Sequence, residues 1–273
     1  KYRIVYSKIE EVDRIDDIEH PAVKGVLKFL KPDVGLEIMH IGDLPARSGL
    51  GSSSAFTVAM LKAIHHLQGH NVSKLTLASE AIHVEHNVIK ENVGIQDQIE
   101  TAYGGINKVY FHKDGSFTVS PLSIATERRK ELHDHLLLFF TGITRFASKI
   151  AGKQIDSIAS KKCHINSLVE LAHHGENVLS NSGDIREFGK LLHTAWGIKK
   201  NITTGISNDL LDSYYNKAME AGAIGGKILG AGGGGFMLFF AEPQQHSKII
   251  ESLNMIKHVP FDFEAQVDPK VTA

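Results

Sequence analysis

Two carboxylates, a serine-rich turn and a run of glycines are the residues here whose types could move a phosphoryl group. Glu85 falls within a helical pattern, and Asp97 in the loop Gly94-Ile95-Gln96-Asp97-Gln98 that follows it. One carboxylate can orient a divalent cation; another can accept the proton of an attacking hydroxyl. Such a pair is common, and Asp97 could equally cap the short helix behind it. The turn is Pro45-Ala46-Arg47-Ser48-Gly49-Leu50-Gly51-Ser52-Ser53-Ser54-Ala55, running straight into an apolar helix. A helix N-terminus leaves backbone N–H groups unpaired and carries partial positive charge. Glycines let a ligand reach those groups, and serine hydroxyls add donors and a cation-binding oxygen. The composition leaves two readings open, a seat for a phosphate and a plain capped helix. The glycine run, Lys227-Ile228-Leu229-Gly230-Ala231-Gly232-Gly233-Gly234-Gly235-Phe236, joins two apolar strands with more glycine than a tight hairpin needs. A loop of that kind lets another backbone or a ligand come close.

Several other chemistries lack their signatures. No Lys follows Gly51, and the segment around Lys227 has the wrong spacing for a Walker loop. No G-x-G-x-x-G occurs in a strand-to-helix context. Histidine is abundant, at 16 residues, but His83 and His86 around Glu85 match no zinc spacing, and there is a single cysteine, Cys163. Thr141-Gly142-Ile143-Thr144-Arg145 follows an apolar strand; its arginine could hold an anionic group or lie in solvent. Trp196 reads as core, and Lys199-Lys200 as a charged helix end. The net charge of −1 gives no reason to expect nucleic acid or an acidic membrane surface as partner. Apolar runs such as Phe236 to Ala241 are too short to span a bilayer. One cysteine excludes an intramolecular disulfide and suits a reducing, cytoplasmic setting.

The elements that must position these residues are interleaved. Residues 2–9 alternate as a strand, 20–30 read as a helix and 35–40 as a strand. A helix over 52–68 stops at Gly69, and Ser73 caps another that runs to about Lys90. A short helix ends at Gly104-Gly105, and a hairpin turns at Asp114-Gly115. Strand 136–141 precedes a largely helical stretch to Asn201, broken near Ser182-Gly183, and a helix at 209–221. The chain then reads strand 226–230, glycine turn, strand 236–241, helix 244–256, strand 258–263. This is a mixed α+β order, split into residues 1–130 and 131–273.

In combination the pieces resemble the GHMP kinases, the group of galactokinase, homoserine kinase, mevalonate kinase and phosphomevalonate kinase. Pro45 to Ala55 resembles their P-x3-G-L-G-S-S-[AS]-A phosphate loop, Lys227 to Phe236 their C-terminal glycine motif, and Gly94 to Gln98 the loop of their catalytic aspartate. Order and spacing agree over nearly the whole chain. The resemblance implies a two-lobed fold, the N-terminal lobe like ribosomal protein S5 and the C-terminal lobe ferredoxin-like. It implies ATP and Mg²⁺. Pro45, Arg47, Ser48, Gly49, Leu50, Gly51, Ser52, Ser53, Ser54 and Ala55 would form the nucleotide loop, with Ser53 and Glu85 on Mg²⁺ and Ser52 on phosphate. Asp97 would be the base or electrostatic orienter beside the substrate hydroxyl. Gln98, Gly232, Gly233, Gly234 and Gly235 would lie at the substrate, and Arg145, by its position, would grip a substrate phosphate.

Within the family the motifs look most like the kinases of D-glycero-D-manno-heptose 7-phosphate, which phosphorylate the anomeric hydroxyl to give the 1,7-bisphosphate. A fucokinase-like or other small-molecule kinase, or a non-catalytic nucleotide-binding homologue, are the rival expectations. A homodimer stays open. The family's N-terminal turn, of the type P-x-R-x-x-L-x-x-G-G-G-[ST]-D, is not found in this sequence. The resemblance therefore implies an N-terminal lobe without its first strands, and a chain weakened or inactive by itself.

Overall fold

A computed structural model describes residues 1–42, 49–143, 147–157 and 159–262. Pro45, Arg47, Ser48 and Arg145 lie outside the described residues. The chain divides into two compact units. The first takes residues 1–42 and 51–105; the second takes 49–50 and 106–262.

The first unit starts with a three-stranded sheet in the order β2-β1-β3, formed by β1 (Tyr2–Val5), β2 (Ile9–Val12) and β3 (Leu36–Met39). The single strand expected over 2–9 is in fact a hairpin, with Val5 opposite Ile9. The reversal keeps one inward row: Tyr2 and Ile4 on β1 are continued across the turn by Glu10. Glu10 is buried yet ionised. Burial pushes its carboxyl pKa up, but the amides of Glu19 and His20 and the Tyr6 hydroxyl donate to it and hold it below the usual range. Helix α1 (Pro21–Leu30) has Pro at its first position, where no N–H is needed, and the His20 ring accepts from Val23 N. Helices α2 (Ser52–Leu67), α3 (Lys74–His83) and α4 (Gln96–Tyr103) pack together around Leu61, Leu77, Ala81 and Ile99. Ser73 caps α3 by accepting from Thr76 N at 3.0 Å.

The second unit opens with the hairpin β4 (Asn107–Phe111) and β5 (Phe117–Pro121), then α5 (Thr126–Asp134). Its main sheet joins β6 (Leu136–Phe140), β7 (Ala223–Ile228), β8 (Phe236–Ala241) and β9 (Lys257–His258) in the order β7-β8-β6-β9, every pair antiparallel. Helices α6 (Ala147–Ser157), α7 (Lys162–Ser180), α8 (Arg186–Lys200) and α9 (Asp209–Glu220) lie between β6 and β7, and α10 (His246–Ser252) between β8 and β9. That order, with one crossover on each side of a β7–β8 hairpin, is the split β-α-β layout of a ferredoxin-like fold. One sheet face packs Phe139, Met237, Phe239 and Ile228 against Leu211, Tyr215 and Ile249. The other packs Leu136 and Phe240 against Leu132 and Leu179. Of the last strand, expected over 258–263, residue 263 lies outside the described residues; among the described ones the pairing covers Lys257 and His258 and ends with Val259 N donating to Leu138 O. Pro260 follows and cannot donate to the ladder.

Candidate functional site

In the first unit, the start of α2 is built to leave amides free. Gly51 stands before the helix at φ +70, and no side chain caps it. The first helical hydrogen bond runs from Ala55 N to Gly51 O (2.8 Å). Ser52, Ser53 and Ser54 therefore have no acceptor for their amides within the helix. A plain capped start would have spent a hydroxyl here. Ser53 is exposed, while Ser54 is buried and turns inward.

Ser54 turns toward Glu85. The helix expected to run straight to Lys90 instead widens after α3 into a π-helical turn, Val84–Val88. The π turn carries Glu85 inward, to 2% exposure. One carboxylate oxygen, Oε2, accepts from Ser54 Oγ at 3.1 Å and from Gln98 Nε2 at 2.5 Å. The other, Oε1, is buried with no protein partner. Burial raises the Glu85 pKa, opposed by the hydrogen bonds from Gln98 and Ser54 and by the nearby Thr57 hydroxyl, whose own hydrogen bond runs to Ser53 O. A carboxylate with one oxygen fixed and one unsatisfied is chemically suited to a hard divalent cation. Among the described residues no group of three or more His, Cys, Asp or Glu gathers to hold a metal. Mg²⁺ does not need one, since it is commonly bound through one or two carboxylates plus substrate phosphates. Glu85 and the neighbouring neutral oxygens fit that pattern.

Asp97 occupies the first turn of α4 and is exposed; the residue before that helix is Ile95, so Asp97 is not its cap. Its side chain lies against Gly51: a Cβ added at Gly51 would stand 3.4 Å from both Cβ and Cγ of Asp97. The structure thus puts an exposed carboxylate at the bare start of α2. Gln98, the next residue, is turned about 100° further round the helix and is fully buried. Nothing in the motif spacing pairs Gln98 with Glu85. The available signal was a lone amide on the same helix face as Ile99 and Ala102, both buried.

In the second unit the glycine loop is tied down on several sides. Gly230, Gly232, Gly233, Gly234 and Gly235 all take positive φ. Gly233 N donates to Ile206 O, Gly235 N to Ile143 O, and Thr141 N and Oγ1 both donate to Gly235 O. Lys199 Nζ and Gln154 Nε2 donate to the carbonyls of Gly230 and Ala231, each at 2.6 Å. Gly49 belongs to this unit and touches the loop directly: a Cβ at Gly230 would meet Gly49 O at 2.8 Å. That close approach is why Gly is needed on both sides.

Lys227, three residues ahead of Gly230, faces the same side of the sheet as Leu238 and Leu138. Burial alone pushes its pKa down, with no charged group opposing the shift. Between that lowered value and the ordinary lysine pKa near 10.4, the unfolded chain binds more protons than the folded one, so stability rises with pH. Replacing Lys227 by Met should remove this slope and raise stability near neutrality by about 1 kcal/mol or more. Urea midpoints at neutral pH and about two units above would measure both effects.

Comparison with known proteins accounts for the arrangement. Residues 21–105 match the family model for the GHMP kinases N terminal domain, and residues 170–255 that for the GHMP kinases C terminal. The D-glycero-alpha-D-manno-heptose 7-phosphate kinase of Campylobacter jejuni is 30% identical over 240 residues, 87% of this chain and 70% of that protein. The bifunctional fucokinase/GDP-fucose pyrophosphorylase of Arabidopsis thaliana is 29% identical over 84% of this chain, which spans only 22% of the plant protein. In fold, the chain is similar to Streptococcus pneumoniae phosphomevalonate kinase (TM-score 0.73, 16% identity, 94% of this chain and 85% of that one). A D-glycero-D-manno-heptose 1-phosphate kinase from Bacteroides thetaiotaomicron is likewise similar (TM-score 0.67, 24% identity, 95% and 79%). With both family models matched in order, and a 30% identical relative covered over 70% of its length, the chain belongs to the GHMP kinases.

Proposed function

We propose that this chain is an ATP-dependent small-molecule kinase acting on a sugar phosphate, with D-glycero-D-manno-heptose 7-phosphate as substrate and its 1,7-bisphosphate as product. The observation that carries the kinase reading is the grouping in the first unit. An uncapped helix start, a buried carboxylate with one unsatisfied oxygen and an exposed carboxylate beside Gly51 stand together. The amides of Ser52 to Ser54 receive the nucleotide's phosphates at the positive end of α2. Glu85 and the exposed hydroxyl of Ser53 would supply oxygens for Mg²⁺, with Ser54 holding the Glu85 carboxylate from α2, and the ion would neutralise charge on the phosphates. Asp97 accepts the proton of the acceptor hydroxyl or orients it by charge. Little covalent chemistry falls to the protein; positioning and electrostatics do the rest.

The choice of substrate rests on the Campylobacter relative and on the order of the sequence motifs. Arg145 is proposed as the cation for the substrate's own phosphate, and Gly232 to Gly235 as the backbone that the sugar approaches. A fucokinase-like activity is the second reading, supported by the Arabidopsis relative.

Heptose 7-phosphate, L-fucose, D-galactose and mevalonate, each with ATP and Mg²⁺, should be separated by ADP release, and the product located by ³¹P NMR. The expected result is phosphorylation of the heptose 7-phosphate at its anomeric oxygen, with kcat/KM at least about 100-fold above the unphosphorylated sugars. Preference for L-fucose would transfer the assignment to the second reading. Nucleotide binding with no transfer to any acceptor would leave a non-catalytic homologue.

A further inference from the structure

Among the described residues, five buried side-chain polar atoms have no hydrogen-bond partner: His65 Nδ1, Glu85 Oε1, Gln98 Oε1, Arg129 Nε and Trp196 Nε1. Only two of them are oxygens, and these belong to two residues bonded to each other through Gln98 Nε2 and Glu85 Oε2. Both residues are closed off from solvent, Gln98 at 0% and Glu85 at 2% exposure. A buried acceptor left without a donor costs about 1–3 kcal/mol. Two such acceptors on one hydrogen-bonded pair double that cost, and apolar residues of similar shape would have avoided it.

The chemistry of the pair narrows what satisfies it. A carboxylate oxygen and an amide carbonyl oxygen are both hard acceptors, the donor set that Mg²⁺ and its analogues take. The amide nitrogen has a separate task. By donating to Oε2 it fixes the Glu85 carboxylate from α4, while Ser54 donates to the same oxygen from α2. Oε1 is thereby the oxygen left over.

We propose that Gln98 completes the divalent-cation site of this chain: its Nε2 positions the Glu85 carboxylate, and its Oε1 supplies a second, neutral acceptor oxygen. This rests on the kinase reading and moves Gln98 from the sugar, where the sequence motif suggests it, to the metal. The position after Asp97 then has a physical reason. Successive residues of a helix are turned by about 100°, and at the edge of the buried face of α4 that step is enough for one dipeptide to present an exposed carboxylate beside Gly51 and a buried amide to Glu85.

The test uses Mn²⁺ with a non-hydrolysable ATP analogue, reading free Mn²⁺ by EPR and thermal midpoints with and without the ion. Gln98→Met keeps the volume and loses both polar atoms. It should bind Mn²⁺ about 10-fold or more weakly, with the far-UV circular dichroism of the parent. Gln98→Glu keeps an oxygen but sets two carboxylates together. Its midpoint should fall without metal, and Mn²⁺ should raise it by more than it raises the parent's. Unchanged Mn²⁺ affinity in Gln98→Met would overturn the proposal. So would a Gln98→Glu deficit that Mn²⁺ fails to recover, because packing alone would then explain Gln98. Equal Mn²⁺ binding by the parent and Glu85→Gln would remove the cation site itself, and the proposal with it. If Mn²⁺ binding depends on Gln98 while no sugar phosphate is turned over, the substrate reading fails and this one stands.

Discussion

Asp97→Asn is expected to cut kcat by about 10²–10⁴ while leaving the chain folded. Asparagine matches aspartate in shape and is accepted in the first turn of a helix, so the lost charge is the change that matters. Asp97 is exposed, and its charge interacts with the start of α4 by about 0.3–1 kcal/mol. Nucleotide affinity offers a second, opposite readout. A carboxylate lying against Gly51, where the amides of α2 are to receive phosphate, repels the anion it sits beside. Its removal should leave ATP binding intact or tighten it. A drop in kcat joined to unchanged or improved nucleotide affinity identifies a group that acts on the transition state and not on ground-state binding. The measurements are steady-state turnover on the substrate found in the panel, and calorimetric titration with a non-hydrolysable ATP analogue. Unchanged turnover would take Asp97 out of the mechanism.

The features legible in the sequence are those with local causes. Strand β8 runs over 236–241 as its unbroken apolar run predicts, and α2 begins at Ser52, where glycine gives way to periodic apolar residues. Helix α9 ends within a residue of its expected limit because Gly222 stops the periodicity. Features with distant causes were not legible. Helix α5 is composed of Thr126-Glu127-Arg128-Arg129-Lys130-Glu131-Leu132-His133-Asp134, with almost no apolar stripe to announce it. It is held by contacts made far along the chain. Arg128, buried, donates to the carbonyl of Val178 in the last turn of α7 and to that of Gly183 just beyond it. The π turn at Val84–Val88 was equally hidden, since a regular helical period continues smoothly through it. That single widening carries Glu85 inward and makes Ser54 and Gln98 its partners. The sequence could nominate Glu85 as a carboxylate in a helix; only the packing of three helices reveals which of its oxygens is left unsatisfied.

Gly51→Val should abolish nucleotide binding without unfolding the protein. Gly51 holds φ +70, where a β-branched side chain is strained by about 1–3 kcal/mol. A domain of ordinary stability tolerates such a loss, so secondary structure should persist, with a thermal midpoint several degrees lower. Binding suffers for a different reason. The new Cβ would already stand 3.4 Å from Asp97 Cβ and Cγ, at the edge of normal contact. The two methyl groups beyond it have to spread around the start of α2, over the amides of Ser52, Ser53 and Ser54 that the phosphates need. Gly51→Ala separates strain from obstruction. It pays most of the same backbone penalty, yet its single methyl adds no atoms beyond the 3.4 Å contact. The expected order in affinity for an ATP analogue is parent, then Ala weakened about 10-fold or less, then Val with no measurable binding. Equal losses in the two variants would attribute the effect to backbone strain. Full binding by Gly51→Val would mean that the phosphates do not sit at the start of α2, and the helix start would be structural after all.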